Sequence, residues 1–153
     1  MLRLSRKTLL ALEAVIDIAC NSRPEPVQAK EITSRQGVPQ RYLEQVMQQL
    51  VRAGILKGVR GPRGGYRLAR ERRRISVGDV VRIAMSLDEA EDPFDVGSEL
   101  GRKVVIPLIL SLQEEVMKKL DGTTIEDICK RARASGFDLE APEHSGGSQD
   151  FSI

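Results

Sequence analysis

Apolar residues recur at three- and four-residue intervals along most of this chain and switch to short alternation at one place only, after Gly54. The first periodic stretch opens at Ser5, a hydroxyl residue suited to capping a helix, and runs to about Cys20, with Leu9, Leu12, Ile16 and Ala19 on one stripe. Asn21 to Pro26 breaks it. Gln28 to Gln36 reads as a short second helix, and Gly37 supplies a tight turn. Pro39 suits the first position of a third helix, where its missing N–H costs nothing. In that helix Tyr42, Leu43, Val46, Met47, Leu50 and Val51 share one face, while Gln40, Arg41, Glu44, Gln45 and Gln48 share the other. A short helix, a glycine turn and a helix with a long polar face together predict a helix-turn-helix.

Ile55 to Val59 and Tyr66 to Ala69 alternate as two short strands, and Gly61, Pro62, Gly64 and Gly65 between them mark a tight hairpin tip. Arg70 to Arg74 is a charged turn, and Ser76 caps a helix from Val77 to about Met85. Asp88 to Glu99 holds six carboxylates and no basic residue, with Pro93 and Gly97, and reads as a loop. A long helix is expected at about 104–120, with Leu108, Ile109, Leu112, Val116 and Leu120 at helical spacing, and Pro107 begins or kinks it. Thr123 with Glu126 fits a capping box opening a last helix that ends near Gly136. The fold class is mainly α with a small β-hairpin. Residues 1–85 form a winged helix-turn-helix domain, 86–137 hold the acidic loop and two helices, and 138–153 read as a disordered tail.

Charge sharpens this picture. The net charge of the 153 residues is only +2, yet residues 1–85 carry 17 Lys/Arg against 7 Asp/Glu, and the remainder carries 7 against 15. Nine basic residues and a single acid, Glu71, lie between Arg52 and Arg74. Such a block on a glycine-rich hairpin supplies salt-dependent affinity for phosphates, and it makes double-stranded DNA the expected partner. Gln40, Arg41, Glu44 and Gln45 lie in the first turns of the third helix, where base contacts concentrate. Arg pairs with guanine, Gln with adenine, and Glu accepts from cytosine, so Glu44 is expected to discriminate sequences more than it adds affinity. Its plainer role is an ordinary surface pair with Arg41 or Gln48. Arg60 or Arg63 can reach a minor groove from a narrow tip built on Gly61 and Gly64, and Arg67 adds to the same positive field. Ser5, Lys7 and Thr8 offer a phosphate contact at the first helix N-terminus, against the simpler reading of a plain cap.

Leu4-Ser5-Arg6-Lys7, Tyr42-Leu43-Glu44-Gln45, Val59-Arg60-Gly61 with Gly64-Gly65-Tyr66, and Ser76-Val77-Gly78-Asp79-Val80 occur in that order. Together they resemble the bacterial winged-helix regulators that include the iron–sulfur cluster regulator IscR, the nitric-oxide sensor NsrR and the cysteine-metabolism repressor CymR, over about residues 1–135. The resemblance implies a homodimer, joined through the long helix by Leu108, Ile109, Leu112 and Val116, that acts on a palindromic operator, as a repressor. It implies that the third helix, including Tyr42, reads bases, that a wing arginine enters the minor groove, and that position 44 tunes the accepted sequence. Pro39-Gln40-Arg41 departs from the small hydroxylated residues common there, so operator preference does not carry over.

Cluster-binding members of that family carry three cysteines between the fourth helix and the dimerisation helix. Here Ser86 to Glu99 contains neither cysteine nor histidine, whereas iron–sulfur clusters need thiolates or imidazoles. Cys20 and Cys129 read as small buried core residues, and His144 lies in the tail. No cofactor and no metal site is therefore expected, which leaves a regulatory protein or a small-molecule effector as the source of control. Two other functions compete: a redox or metal sensor using Cys20, Cys129 or the acidic loop, and a winged-helix module that docks on an acidic protein. No paired nucleophile and base is evident, and Gly61 to Gly65 lacks the Lys-Ser/Thr of a nucleotide-binding loop, so the chain does not read as an enzyme. No apolar run reaches the length of a membrane span and the N-terminus lacks a signal peptide's apolar block, which suggests a cytoplasmic protein.

Overall fold

Ser5 opens the structure by accepting a hydrogen bond from the Thr8 amide at 3.3 Å, capping α1 (Arg6–Cys20). The computed structural model describes residues 4–21, 24–87 and 97–136. The elements that follow are α2 (Ala29–Gln36), α3 (Gln40–Arg52), the antiparallel hairpin β1 (Leu56–Val59) and β2 (Gly65–Leu68), α4 (Val77–Met85), α5 (Ile106–Asp121) and α6 (Ile125–Ala134). The hairpin register pairs Leu56 with Leu68 and Val59 with Gly65. This is the mainly helical winged helix-turn-helix that the pattern predicts.

The buried face of α1 is not the expected stripe. Leu10, Ala11, Ala14, Val15 and Ile18 point into the core, and Leu9 is 49% exposed. The helix is apolar almost all round, so periodicity alone does not select a face. Ala11 and Ala14 are fully buried and let neighbouring helices approach closely, which favours their side. Around this face Ile32, Leu43, Met47, Leu50, Ile55, Ile75, Val80 and Val81 complete one continuous core.

Two boundaries also move. Pro39 is the N-cap of α3 rather than its first helical residue. The capping box of α6 is Thr124 with Asp127, not Thr123 with Glu126. Thr123 is occupied: its hydroxyl donates to the Lys119 carbonyl at 3.1 Å and its own carbonyl accepts from the Val77 amide at 2.8 Å. With Ile125 N–H on the Ile75 carbonyl at 2.8 Å, this short bridge hooks the start of α6 to the start of α4. Ile125 and Cys129 thereby enter the same core as α1.

The long helix α5 spans close to the expected range, and helical winding of a wider kind leads into it. A wide turn, Gly101–Val105, precedes α5 and closes with the Ile106 amide on the Gly101 carbonyl. Pro107 has no N–H and its ring crowds the carbonyl four residues back, so a local five-residue bond pattern accommodates it without breaking the helix. Residues 88–96 of the acidic loop and the tail from 137 onward lie outside the described residues.

Candidate nucleic-acid interface

Helix α3 is held by Leu43, Val46, Met47 and Leu50, all buried, which turns its polar face outward. Gln40, Arg41, Gln45 and Gln48 are exposed there, while Glu44 is half-buried. The amide of Gln40 donates to the Glu44 carboxylate at 3.0 Å, so the partner of Glu44 is Gln40 and not Arg41 or Gln48. Tyr42 is half-buried and packs against the core, so its ring braces the helix. Helix α2 is fixed by Arg35, whose guanidinium grips the buried carboxylate of Asp17 on α1.

The wing needs its glycines for different reasons. Gly61 sits at φ +116°, a region costly for any side chain. A Cβ on Gly64 would overlap the Val59 carbonyl, and one on Gly65 would overlap the Val27 carbonyl. That second approach has a purpose: Tyr66 exchanges both backbone hydrogen bonds with Val27, at 2.8 and 3.0 Å, tying the wing to the segment before α2. Burial of Tyr66 raises its phenol pKa above the usual value, and the nearby Glu44 carboxylate adds to the rise. Glu44 of α3 therefore lies close to the wing base.

Arg60 and Arg63 stand exposed on the tip. Arg67 does not join them, because its guanidinium donates to the Pro24 carbonyl and braces the wing from behind. An open cleft of about 580 Å³ separates wing and helices, and Lys30, Gln40, Arg60, Gly61 and Gly64 all line it. Gln40 at the start of α3 and Arg60 at the wing tip thus face one opening. At the N-terminus of α1, Thr8 is fully buried and bonded to Ser5, so neither hydroxyl is presented to a phosphate, whereas Lys7 is half-buried in the first turn.

Helix α5 buries none of its residues. Leu108 is 55%, Leu112 51% and Val116 42% exposed, and Leu100 and Val104 extend the same run toward its start. Ile109 is half-buried, and Leu120, expected on that stripe, turns with Met117 toward the core. Arg82 of α4 grips Asp121 with two bonds of 2.6 Å, which ties the end of α5 to α4.

Far apart in sequence, Cys20 and Cys129 meet. Both are buried, and their thiols are hydrogen-bonded to one another. They are core residues, as read, but not separate ones; nothing in their helical periodicity showed the contact.

With this geometry in view, the comparisons are consistent. The profile of a family described as iron-dependent transcriptional regulator (Rrf2) matches residues 4–131. The HTH-type transcriptional regulator IscR of Salmonella newport is 40% identical over 156 residues, covering 97% of this chain and 95% of its own. IscR of Vibrio cholerae is 41% identical over 91 residues, 60% of this chain and 51% of its own. Among solved structures, T. potens IscR aligns with a TM-score of 0.70 at 35% identity, over 88% of this chain and 90% of that one. CymR, the global cysteine regulator of B. subtilis, aligns at 0.68 and 31% identity, over 86% and 98%.

The iron in that family description finds no fitting donor set among the described residues. Among the described residues no three His, Cys, Asp or Glu side chains are grouped to hold a metal ion. The chain's two cysteines face each other inside the core, and two thiolates are too few for a cluster held by one chain. Among the same residues no helix is long and apolar enough to cross a membrane.

Proposed function

The chain belongs to the Rrf2 family of DNA-binding transcriptional regulators, and from that premise we propose that it represses transcription as a homodimer on a palindromic operator, without an iron–sulfur cluster of its own. One observation carries the reading: Gln40, at the start of α3's polar face, and Arg60 of the wing line the same cleft. A duplex laid across it receives Gln40, Arg41 and Gln45 in the major groove and Arg60 or Arg63 in the flanking minor groove. Lys7 adds a phosphate contact at the edge. Glu44 donates no hydrogen bond to DNA; held by Gln40, it repels phosphate and selects for a base that offers a donor.

The apolar run on α5 supports two copies. Leu108, Leu112 and Val116 form a continuous apolar surface on a helix with no buried residue, and a second copy of the same helix covers it in a self-complementary way. A two-fold dimer then requires a two-fold operator.

Selection of bound sequences from a random duplex library by the purified protein tests this. An inverted repeat with half-sites about one helical turn apart is the expected product. Recovery of unrelated sequences after repeated rounds contradicts it. Protein prepared without air is expected to be colourless; a visible thiolate-to-iron absorption that accompanies operator binding overturns the cluster-free reading.

A further inference from the structure

We propose that Cys20 and Cys129 form a reversible dithiol–disulfide site, oxidised by hydroperoxides, that covalently joins the end of α1 to α6. Cys20 is the last residue of α1, and Cys129 lies in the second turn of α6 on the face that carries Ile125. They are 8% and 1% exposed, and their thiols share a hydrogen bond within the one apolar core that both helices enter. Arg72, from the short turn before α4, hydrogen-bonds to Cys129 and approaches Glu126 at 4.0 Å; its charge reaches both sulfurs, but its hydrogen bond falls on Cys129 alone.

That asymmetry assigns the roles. The Cys129 thiol is held down at about 7, first by the hydrogen bond from Cys20 and then, against the cost of burial, by Arg72 and Arg133. The same hydrogen bond and burial push the Cys20 thiol up. Cys129 is the thiolate that attacks and Cys20 the thiol that resolves. In the first step the Cys129 sulfur attacks the peroxide: an S–O bond forms, the O–O bond breaks, and the departing alkoxide or hydroxide takes a proton. In the second the Cys20 sulfur attacks the sulfenic acid: the S–S bond forms, the S–O bond breaks, and water leaves with the Cys20 proton. Two thiols and one hydroperoxide give one disulfide, one alcohol or water, and one water. A low-molecular-weight dithiol reverses the process by exchange. Cys20 closes α1 and is the more exposed of the two, so the peroxide enters from that helix end. With no third ligand grouped nearby among the described residues, the pair offers no tetrahedral metal site.

The inference is independent of any DNA reading, and intact-mass analysis of the full chain tests it. Reduced protein is treated with hydrogen peroxide, unfolded, alkylated and weighed. The expected product is a single chain lighter by two hydrogens, carrying no alkyl group and restored by dithiothreitol. Cys20→Ala should instead stop at oxidised Cys129, and Cys129→Val should leave Cys20 alkylatable. Oxidised wild-type protein should melt at a higher temperature than reduced protein, a difference that Cys20→Ala abolishes. Two alkylated thiols after peroxide, a disulfide between two chains, or the same oxidised product from wild type and Cys20→Ala each overturns the proposal.

Discussion

Arg35 of α2 sets its Nε on one carboxylate oxygen of Asp17 at 2.7 Å and a terminal nitrogen on the other at 2.6 Å. Asp17 belongs to α1 and its side chain is only 6% exposed, whereas that of Arg35 is 28% exposed. The fork therefore fixes both the distance and the roll of α2 against α1, and with it the angle at which the turn at Gly37 delivers α3. Removing one partner leaves a desolvated group unpaired. Asp17→Asn is expected to cost about 2–3 kcal/mol, below the usual figure for a broken buried pair because Arg35 keeps contact with water. Urea unfolding followed by circular dichroism checks it; an unchanged midpoint contradicts the role given to the pair.

The wing stands on the approach of Gly65 to Val27. Gly65→Ala drives a Cβ into the Val27 carbonyl and cannot be relieved by a side-chain rotation, since the obstacle is backbone. The expected loss is about 1–3 kcal/mol of stability, with a wing that is cut faster by protease while α3 and α4 stay protected. Gly58→Ala is the control: nothing lies near its Cβ position.

The proposed dimer rests on α5. Leu112→Glu places a carboxylate in the centre of the apolar run and is expected to give monomers in sedimentation, with helical content unchanged because Leu112 touches no core of its own chain. A mutant that remains a dimer refutes the assignment.

Acid should loosen the α4–α5–α6 junction. Asp121 is held below the ordinary carboxyl range first by its hydrogen bond from Arg82, and Asp127 by the backbone and hydroxyl hydrogen bonds from Thr124. With native values depressed, the unfolded chain binds more protons in that range. The stabilisation is present above the unfolded carboxyl value and lost as pH falls through the lower native ones. Between about pH 5 and 2, Asp121→Asn should show a shallower dependence of unfolding free energy on pH than wild type.

The helix-turn-helix, the wing and the exposed run on α5 were all legible in the chain because each is a local pattern: a polar face, a glycine cluster, a stripe. What was not legible was decided between patterns. Thr123–Glu126 and Thr124–Asp127 are both capping boxes by spacing, and the bond from Val77 to the Thr123 carbonyl chooses the second. The face of α1 was set by packing around Ala11 and Ala14, since Leu9, Leu12 and Ile16 satisfy the same period. Arg67 looked like Arg60 and Arg63 until Pro24 claimed it. The meeting of Cys20 with Cys129 depends on α6 folding back onto α1, a contact no local rule carries.

The central claim is that α3 and the wing grip one duplex together, and titration of Arg60→Ala against the selected operator at physiological salt tests it most directly. The account predicts a loss of about 1–3 kcal/mol in binding, a smaller salt slope and an unchanged circular dichroism spectrum. Wild-type affinity and salt slope in that folded variant would contradict it.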